Sequence, residues 1–134
     1  SYLKEQGVLF EVKDLSNSNE EEIMEFYSQI DFAFGMRGHS QMIPFGLRRP
    51  ILSIITHDKM LFFLQDIKRL DWGIEVNSPQ LEKIFENFLK SLEQNRTDIH
   101  KKISFSQQKI WEETEVNFKK LIRSFKLKDI NSVN

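Results

Sequence analysis

The chain contains no cysteine and has few glycines, prolines and histidines: five, three and three among 134 residues. Without cysteine there is no disulfide framework, no thiolate metal site and no cysteine nucleophile. No apolar run approaches the roughly 20 residues that a membrane-spanning helix requires. The first residues also lack the basic-then-apolar layout of a secretory signal. From these absences we expect a cytoplasmic protein.

The composition is that of an ordinary globular domain, with 40% hydrophobic and 29% charged residues. Its length predicts a single domain spanning residues 1–134. The formal net charge of -1 gives no overall attraction to nucleic acid, so we expect no nucleic-acid partner, and any anion site must be local. Because the chain starts without Met and as if inside a helix closed by Gly7, we expect it to be part of a longer protein.

Short apolar segments alternate with helical patterns along the chain. The predicted strands are residues 8–12, 31–36, 51–56 and 72–76, and the predicted helices are residues 16–30, 39–47, 59–70, 80–95 and 96–125. Such alternation indicates βαβ units. The sequence therefore predicts an α/β fold, a Rossmann-like parallel sheet of roughly four strands flanked by helices, with long C-terminal helices.

Cationic and imidazole side chains follow two of the predicted strands. Arg37 comes directly after the strand at 31–36, and His57 follows the strand at 51–56. Right-handed crossovers place the carboxyl ends of parallel strands on one edge, where ligands bind in open α/β sheets. Gly38 lets the backbone approach a ligand closely, and a helix starting near His39 offers free N–H groups to an anion. We therefore expect a local anion site at this edge.

Residues 31–70 are locally basic. They hold six cations and three acids, namely Arg37, Arg48, Arg49, Lys59, Lys68 and Arg69 against Asp31, Asp58 and Asp66. We place Arg48, Arg49, Lys68 and Arg69 on solvated faces. We expect Asp58 to cap the following helix instead of forming a dyad with His57, because adjacent turn residues do not point at one atom.

Several common sites are missing from the sequence. There is no GxxxxGK[ST] loop and no strand followed by GxGxxG. Arg37 stands where a phospho-receiver domain needs its phosphorylatable Asp. Three histidines without suitably spaced carboxylates give no metal site. We therefore expect no metal and no cofactor.

The order of features from Asp31 to Met60 is specific. An apolar strand is followed by Arg37-Gly38-His39, a short helix, Gly46 with Pro50, a second apolar strand, and Lys59 opening a helix. This order resembles the central motif of the polysaccharide pyruvyl transferase family, and the likeness extends over roughly residues 7–77. Two features depart from that motif: Gly38 replaces a bulky apolar residue, and Arg48-Arg49 stands where small residues are commoner.

The resemblance implies a GT-B-like architecture of two Rossmann-like domains, of which this chain is the C-terminal half and the missing N-terminal domain a partner. It implies an enzyme that transfers pyruvate from phosphoenolpyruvate to paired sugar hydroxyls in bacterial exopolysaccharide or cell-surface polysaccharide biosynthesis. Its further partners are the saccharide acceptor and, by peripheral contact, a membrane-bound lipid-linked glycan. We expect the fragment to be inactive alone, because a cleft needs two walls.

The same resemblance assigns roles to five residues. Arg37, Gly38, His57 and Lys59 become the donor and phosphate-binding group, and His39 becomes the catalytic proton carrier. A histidine suits that task because it titrates near neutral pH.

Two alternatives stay open at this point. The domain is a GT-B-like glycosyltransferase that takes a nucleotide sugar, or a non-catalytic Rossmann-like interaction module that holds a partner through its terminal helices. Convergence of Arg37, His39 and Lys59 on one pocket favours the transferases, whereas an Arg37 held by buried acids favours the module. The phenylalanines of those helices, Phe85, Phe88, Phe118 and Phe125, are either core or a contact face.

Overall fold

A parallel sheet lies at the centre of the computed structural model, which describes Glu5, Gly7 and residues 9–131, with side chains as far as Phe125. Its strands are β1 (Ala33–Gly35), β2 (Ile51–Ile55) and β3 (Gly73–Glu75), in the order β1-β2-β3. Both neighbouring pairs run parallel. The predicted α/β class and parallel sheet are therefore confirmed.

The strand predicted at residues 8–12 is wrong over its described part. Leu9, Phe10 and Val12 lie outside any strand, and the side chains of Leu9 and Val12 are 99% and 80% exposed. Val8 lies outside the described residues. Aromatic and β-branched residues favour strands mainly because they fit a pleated, half-buried surface, and no such surface meets this segment. Among the described residues the sheet thus has three strands instead of about four.

Four α-helices accompany the sheet in the described part of the chain. They are α1 (Glu20–Gln29), α2 (His39–Gly46), α3 (Asp58–Asp66) and α4 (Leu81–Asn131), and a 3₁₀ turn at Leu70–Trp72 precedes β3. Helix α1 begins with a capping box, in which Asn19 Oδ1 accepts from the Glu22 amide and the Glu22 carboxylate accepts from the Asn19 amide. Two otherwise unpaired donors are satisfied in this way.

The helices lie on both faces of the sheet. Helices α2 and α3 cover one face, as expected for two right-handed crossovers between sequential strands, and α1 packs beside α2. Helix α4 covers the other face, where the Phe34 and Phe85 rings lie 4.6 Å apart. Side chains from all three layers form the core: Ala33, Phe45, Ile51, Leu52, Met60, Phe63, Leu64, Ile67, Trp72, Ile74, Phe88, Leu92, Ile99 and Ile103.

Helix α4 contains a kink at the boundary predicted between the two terminal helices. Asn95 has φ -133° and ψ 30°, which is not helical, and the helix continues beyond it. Leu92 and Ile99 on either side of the kink are buried against the sheet. Buried side chains thus continue on both sides of the kink, as far as the fully buried Ile103.

Candidate functional site

A cleft of about 500 Å³ opens at the carboxyl edge of the sheet, between α1 and the first turns of α2 and α3. Its lining residues are Tyr27, Arg37, Gly38, His39, Ser40, Met42, His57, Lys59 and Phe63. All five residues that the sequence assigned to the site therefore surround one cavity. They come from the segments that follow β1 and β2, as the parallel topology predicts.

The first of these segments is fixed by its own hydrogen bonds. After β1 ends, the Gly38 carbonyl accepts from the amides of Gln41 and Met42 at 3.0 and 2.8 Å. Ser40 Oγ donates to the Arg37 carbonyl at 2.7 Å. These hydrogen bonds close the turn between β1 and α2 on which Arg37 and His39 lie.

The backbone at Gly38 does not adopt a conformation that only glycine allows. Its φ of -49° and ψ of -56° are ordinary helical values. A Cβ built on it would have only Met42 Sδ nearby, at 3.9 Å. The missing side chain therefore leaves space in the cleft beside Arg37.

A buried polar pair anchors α2 beneath the cleft. The Gln41 side chain is fully buried; its Oε1 accepts from Ser53 Oγ of β2 at 3.1 Å and its Nε2 donates to the Ser40 carbonyl at 3.0 Å. That carbonyl needs a donor because Pro44, four residues later, has no amide hydrogen. Gly35 allows the approach, since a Cβ there would lie 3.1 Å from Gln41 Nε2.

The second segment carries His57 and Lys59. His57 is extended (φ -166°, ψ 163°), its carbonyl accepts from the Met60 amide at 3.1 Å, and its side chain makes no capping hydrogen bond. Its Nδ1 lies 2.7 Å from Thr56 Oγ1, which leaves Nε2 for contact with a ligand. The prediction that Asp58 caps α3 is wrong: Asp58 is the first helical residue, where its charge favours the helix dipole.

The charge of the cleft is uncompensated. Arg37, His39, His57 and Lys59 are all exposed, and within the described residues none of them forms a salt bridge. None of the residues that line the cleft is a carboxylic acid. Two permanent cations and two imidazoles thus face one cavity, an arrangement that attracts a compact anion.

Sequence reasoning missed the apolar wall of the cleft. Tyr27, Met42 and Phe63 complete the lining. The periodicity of α1 places Tyr27 on an inward face, but its approach to Arg37 depends on how α1 packs against α2. No local pattern carries that packing angle, so the sequence offered no signal for this wall.

Two other arginines of the basic residues 31–70 stabilise the fold and do not line the cleft. Arg49 Nη2 donates to the Ser28 carbonyl in the last turn of α1. Arg69 Nη1 donates to the Lys68 carbonyl at 3.0 Å, and its guanidinium lies 5.3 Å from the centre of the Trp72 ring. Both side chains are half-buried, so the expectation that they lie on solvated faces is wrong.

In the described part of the chain, no helix is long and apolar enough to cross a membrane. Comparison of the whole chain with protein-family models, with curated proteins and with solved structures gave no match.

Proposed function

We propose that this chain is the donor-binding part of a pyruvyl transferase similar to the polysaccharide pyruvyl transferases. It would move pyruvate from phosphoenolpyruvate to paired hydroxyls of a sugar in bacterial exopolysaccharide or cell-surface polysaccharide biosynthesis. The supporting observation is the convergence of Arg37, His39, His57 and Lys59 on one cleft whose lining contains no carboxylate.

The cleft suits the donor's charge and size. Phosphoenolpyruvate carries a phosphate and a carboxylate on the same carbon, so its recognition needs cations spaced around a small volume. Arg37 contacts one of these groups in a two-pronged geometry, and Lys59 supplies a point charge to the other. The open N-terminal turn of α2 adds the positive end of a helix dipole.

In the proposed transfer the two histidines deliver different protons. A sugar hydroxyl oxygen bonds to the enol carbon that carries the phosphate ester, the double-bond electrons take a proton at the methylene, and a methyl group results. A second hydroxyl then displaces the phosphate from that carbon, and the phosphate leaves with the electrons of its C–O bond. The diol's two protons end on the methyl group and the phosphate. His39 delivers the first, and His57 donates to the leaving phosphate.

Binding of the saccharide acceptor requires a second domain that faces the cleft. The cleft opens to solvent, and a GT-B-like partner domain N-terminal to this chain would close it and hold the saccharide. We place this reaction in the cytoplasm, at the surface where lipid-linked glycans are built. Enclosure would strengthen the charge interactions that favour the transition state.

Ligand protection tests the proposal directly. Millimolar phosphoenolpyruvate should raise the melting temperature of this chain by mass action, as should inorganic phosphate more weakly. Arg37→Met and Lys59→Met should each remove most of the shift. Lys101→Met is the matched control, because Lys101 is also an exposed helical lysine but lies on α4, outside the residues that line the cleft.

The competing functions give different results in the same experiment. A larger shift with a nucleotide sugar than with phosphoenolpyruvate would favour the GT-B-like glycosyltransferase. No shift with any of these anions would contradict both transferases and leave the interaction module. A shift that survives both cleft substitutions would contradict this site.

A further inference from the structure

Thr56 lies at the junction between β2 and α3, one residue before His57. Its Oγ1 lies 2.7 Å from His57 Nδ1, which is within hydrogen-bonding distance. Thr56 is exposed and does not line the cleft itself, whereas His57 does. Serine and threonine side chains near a turn commonly bond the adjacent backbone, but the Thr56 hydroxyl contacts the imidazole. It is therefore directed at a ring that faces the proposed ligand.

The contact with Thr56 holds one side of the His57 ring while the other side is left for the cleft. The two ring nitrogens are distinct, so engagement of Nδ1 leaves Nε2 for a ligand. The backbone of His57 is already bound, since its carbonyl accepts from the Met60 amide at 3.1 Å. An exposed side chain without a partner loses rotamer freedom when it binds a ligand. The Thr56 hydroxyl reduces that cost before binding, which is a form of preorganisation.

A hydroxyl group suits His57 in both of its protonation states. When the imidazole is neutral, the Thr56 O–H can donate to Nδ1, and the ring proton then lies on Nε2. When the imidazole is protonated, Nδ1–H donates to Thr56 Oγ1, and Nε2 still carries a proton. An ionised carboxylate in the same place could only accept, so it would hold the neutral ring with its proton on Nδ1 and an Nε2 lone pair toward the cleft. The hydroxyl avoids repulsion between that lone pair and an anion.

We propose that Thr56 is a positioning residue, which keeps His57 Nε2–H directed at a phosphate oxygen in the cleft whether the imidazole is neutral or protonated. This inference rests on the proposed donor site and adds to it a residue outside the lining of the cleft. The arrangement also suits the proposed proton step. When the protonated ring gives its Nε2 proton to the leaving phosphate, the second proton stays on Nδ1 in its hydrogen bond to Thr56 Oγ1.

Nitrogen NMR of the histidine rings tests the contact without any ligand. The chain has three histidines, so the variant His57→Gln identifies the His57 signals. At about pH 8.5, where an ordinary imidazole is neutral, His57 should carry its proton on Nε2. Thr56→Val keeps the branched shape but removes the hydroxyl, and it should move the Nδ1 signal toward that of free histidine. Thr56→Ser should restore the parent signal, and the signals of His39 and His100 should stay unchanged.

Anion affinity tests the role of the contact in binding. Titrations of the whole chain with inorganic phosphate and with phosphoenolpyruvate, followed by backbone NMR, give two dissociation constants. Thr56→Val should raise each constant about threefold to tenfold, the factor that one hydrogen bond commonly contributes. Thr56→Ser should stay within about twofold of the parent, because it keeps the hydroxyl. Thr97→Val is the matched control and should have no effect, since Thr97 is an exposed threonine on α4 outside the cleft.

The outcomes separate failure of this inference from failure of the proposed function. A parent chain that binds neither anion contradicts the proposed function, and with it a ligand for His57. If the parent binds both anions, the inference alone fails when Thr56→Val leaves the Nδ1 signal unchanged, or when neutral His57 carries its proton on Nδ1. It also fails when Thr56→Val and Thr56→Ser bind both anions equally well, because the hydroxyl would then make no difference.

Discussion

The cations at the two ends of the βα units differ in their exposure and in their contacts. At the carboxyl edge, Arg37 and Lys59 are exposed and make no salt bridge within the described residues. Where α2 and α3 end, Arg49 and Arg69 are half-buried and donate to backbone carbonyls. An arginine lies in both places, so its position in the unit, and not its residue type, decides whether it is free to meet a ligand.

The physical reason is the direction of the helices. A helix end exposes unpaired carbonyls at the negative end of the dipole, and the Arg49 guanidinium satisfies one of them in the last turn of α1. Arg69 donates to the Lys68 carbonyl, two residues beyond the end of α3. The segment after a strand leads into a helix start, where free amides and the positive end of the dipole repel a cation unless an anion joins them. We therefore expect the exposed cations Arg37 and Lys59 to serve a ligand, whereas Arg49 and Arg69 at the other end contact backbone carbonyls.

The largest predicted effect comes from the anchor beneath the cleft. Gln41→Ala leaves Ser53 Oγ and the Ser40 carbonyl without their partners and creates a cavity, so the free energy of unfolding should fall by about 2–4 kcal/mol. Urea unfolding measures this loss. Gln108→Ala, an exposed glutamine on α4, should lower it by less than about 0.5 kcal/mol. A loss below about 1 kcal/mol for Gln41→Ala would contradict the anchor.

The two classes of arginine should separate in paired substitutions. Arg49→Met should lower the free energy of unfolding by about 1–2 kcal/mol, because the Ser28 carbonyl loses its charged donor. Arg37→Met should change it by less than about 0.5 kcal/mol while removing anion protection. Urea unfolding and ligand-dependent melting measure the two properties separately. Equal losses of stability in the two variants would show that Arg37 and Arg49 contribute equally to the fold.

The helix ends also contain strained residues that glycine should relieve. Arg48 and Lys68 have φ of 60° and 55°, the left-handed region that favours glycine. Arg48→Gly and Lys68→Gly should each raise the free energy of unfolding by about 0.5–1 kcal/mol. Lys101→Gly, inside α4, should lower it by about 1 kcal/mol. If all three substitutions destabilise the chain, the side chains of Arg48 and Lys68 contribute more than their backbone geometry costs.

The smallest predicted effect concerns a surface ion pair that neither binds a ligand nor caps a helix. Lys102 Nζ lies 2.8 Å from Asp98 Oδ2, and this hydrogen bond holds the pKa of Asp98 below its usual value of 3.8. The pair's stabilisation is therefore present above pH 3.8 and is lost as the pH falls through the lowered pKa. Lys102→Met should move the Asp98 titration, followed by carboxyl NMR, back toward 3.8. An unchanged titration would show that the pair has no influence in solution.

Much of the fold was predictable because its signals are local. Three strands, the helices between them and the break near Asn95 follow from apolar runs, periodicity and turn residues. The strand at 8–12 failed because strand propensity needs a neighbour to cover it. The convergence of Arg37 and His57 was also predictable, since the carboxyl ends of parallel strands share an edge. The place of Tyr27 in the apolar wall of the cleft was not predictable, because it depends on the angle between α1 and α2.

The sequence by itself determined the α/β class, the alternation that forces a parallel sheet, and the residues that reach its carboxyl edge. Only the tertiary structure decided which cations are committed to the fold, because Arg49 meets the Ser28 carbonyl across 21 positions of the chain. It also decided that Ile103 is core while Phe118 is exposed, although both lie on one helical face. Periodicity specifies which face is apolar, but the extent of the sheet beneath that face specifies how much of it is buried.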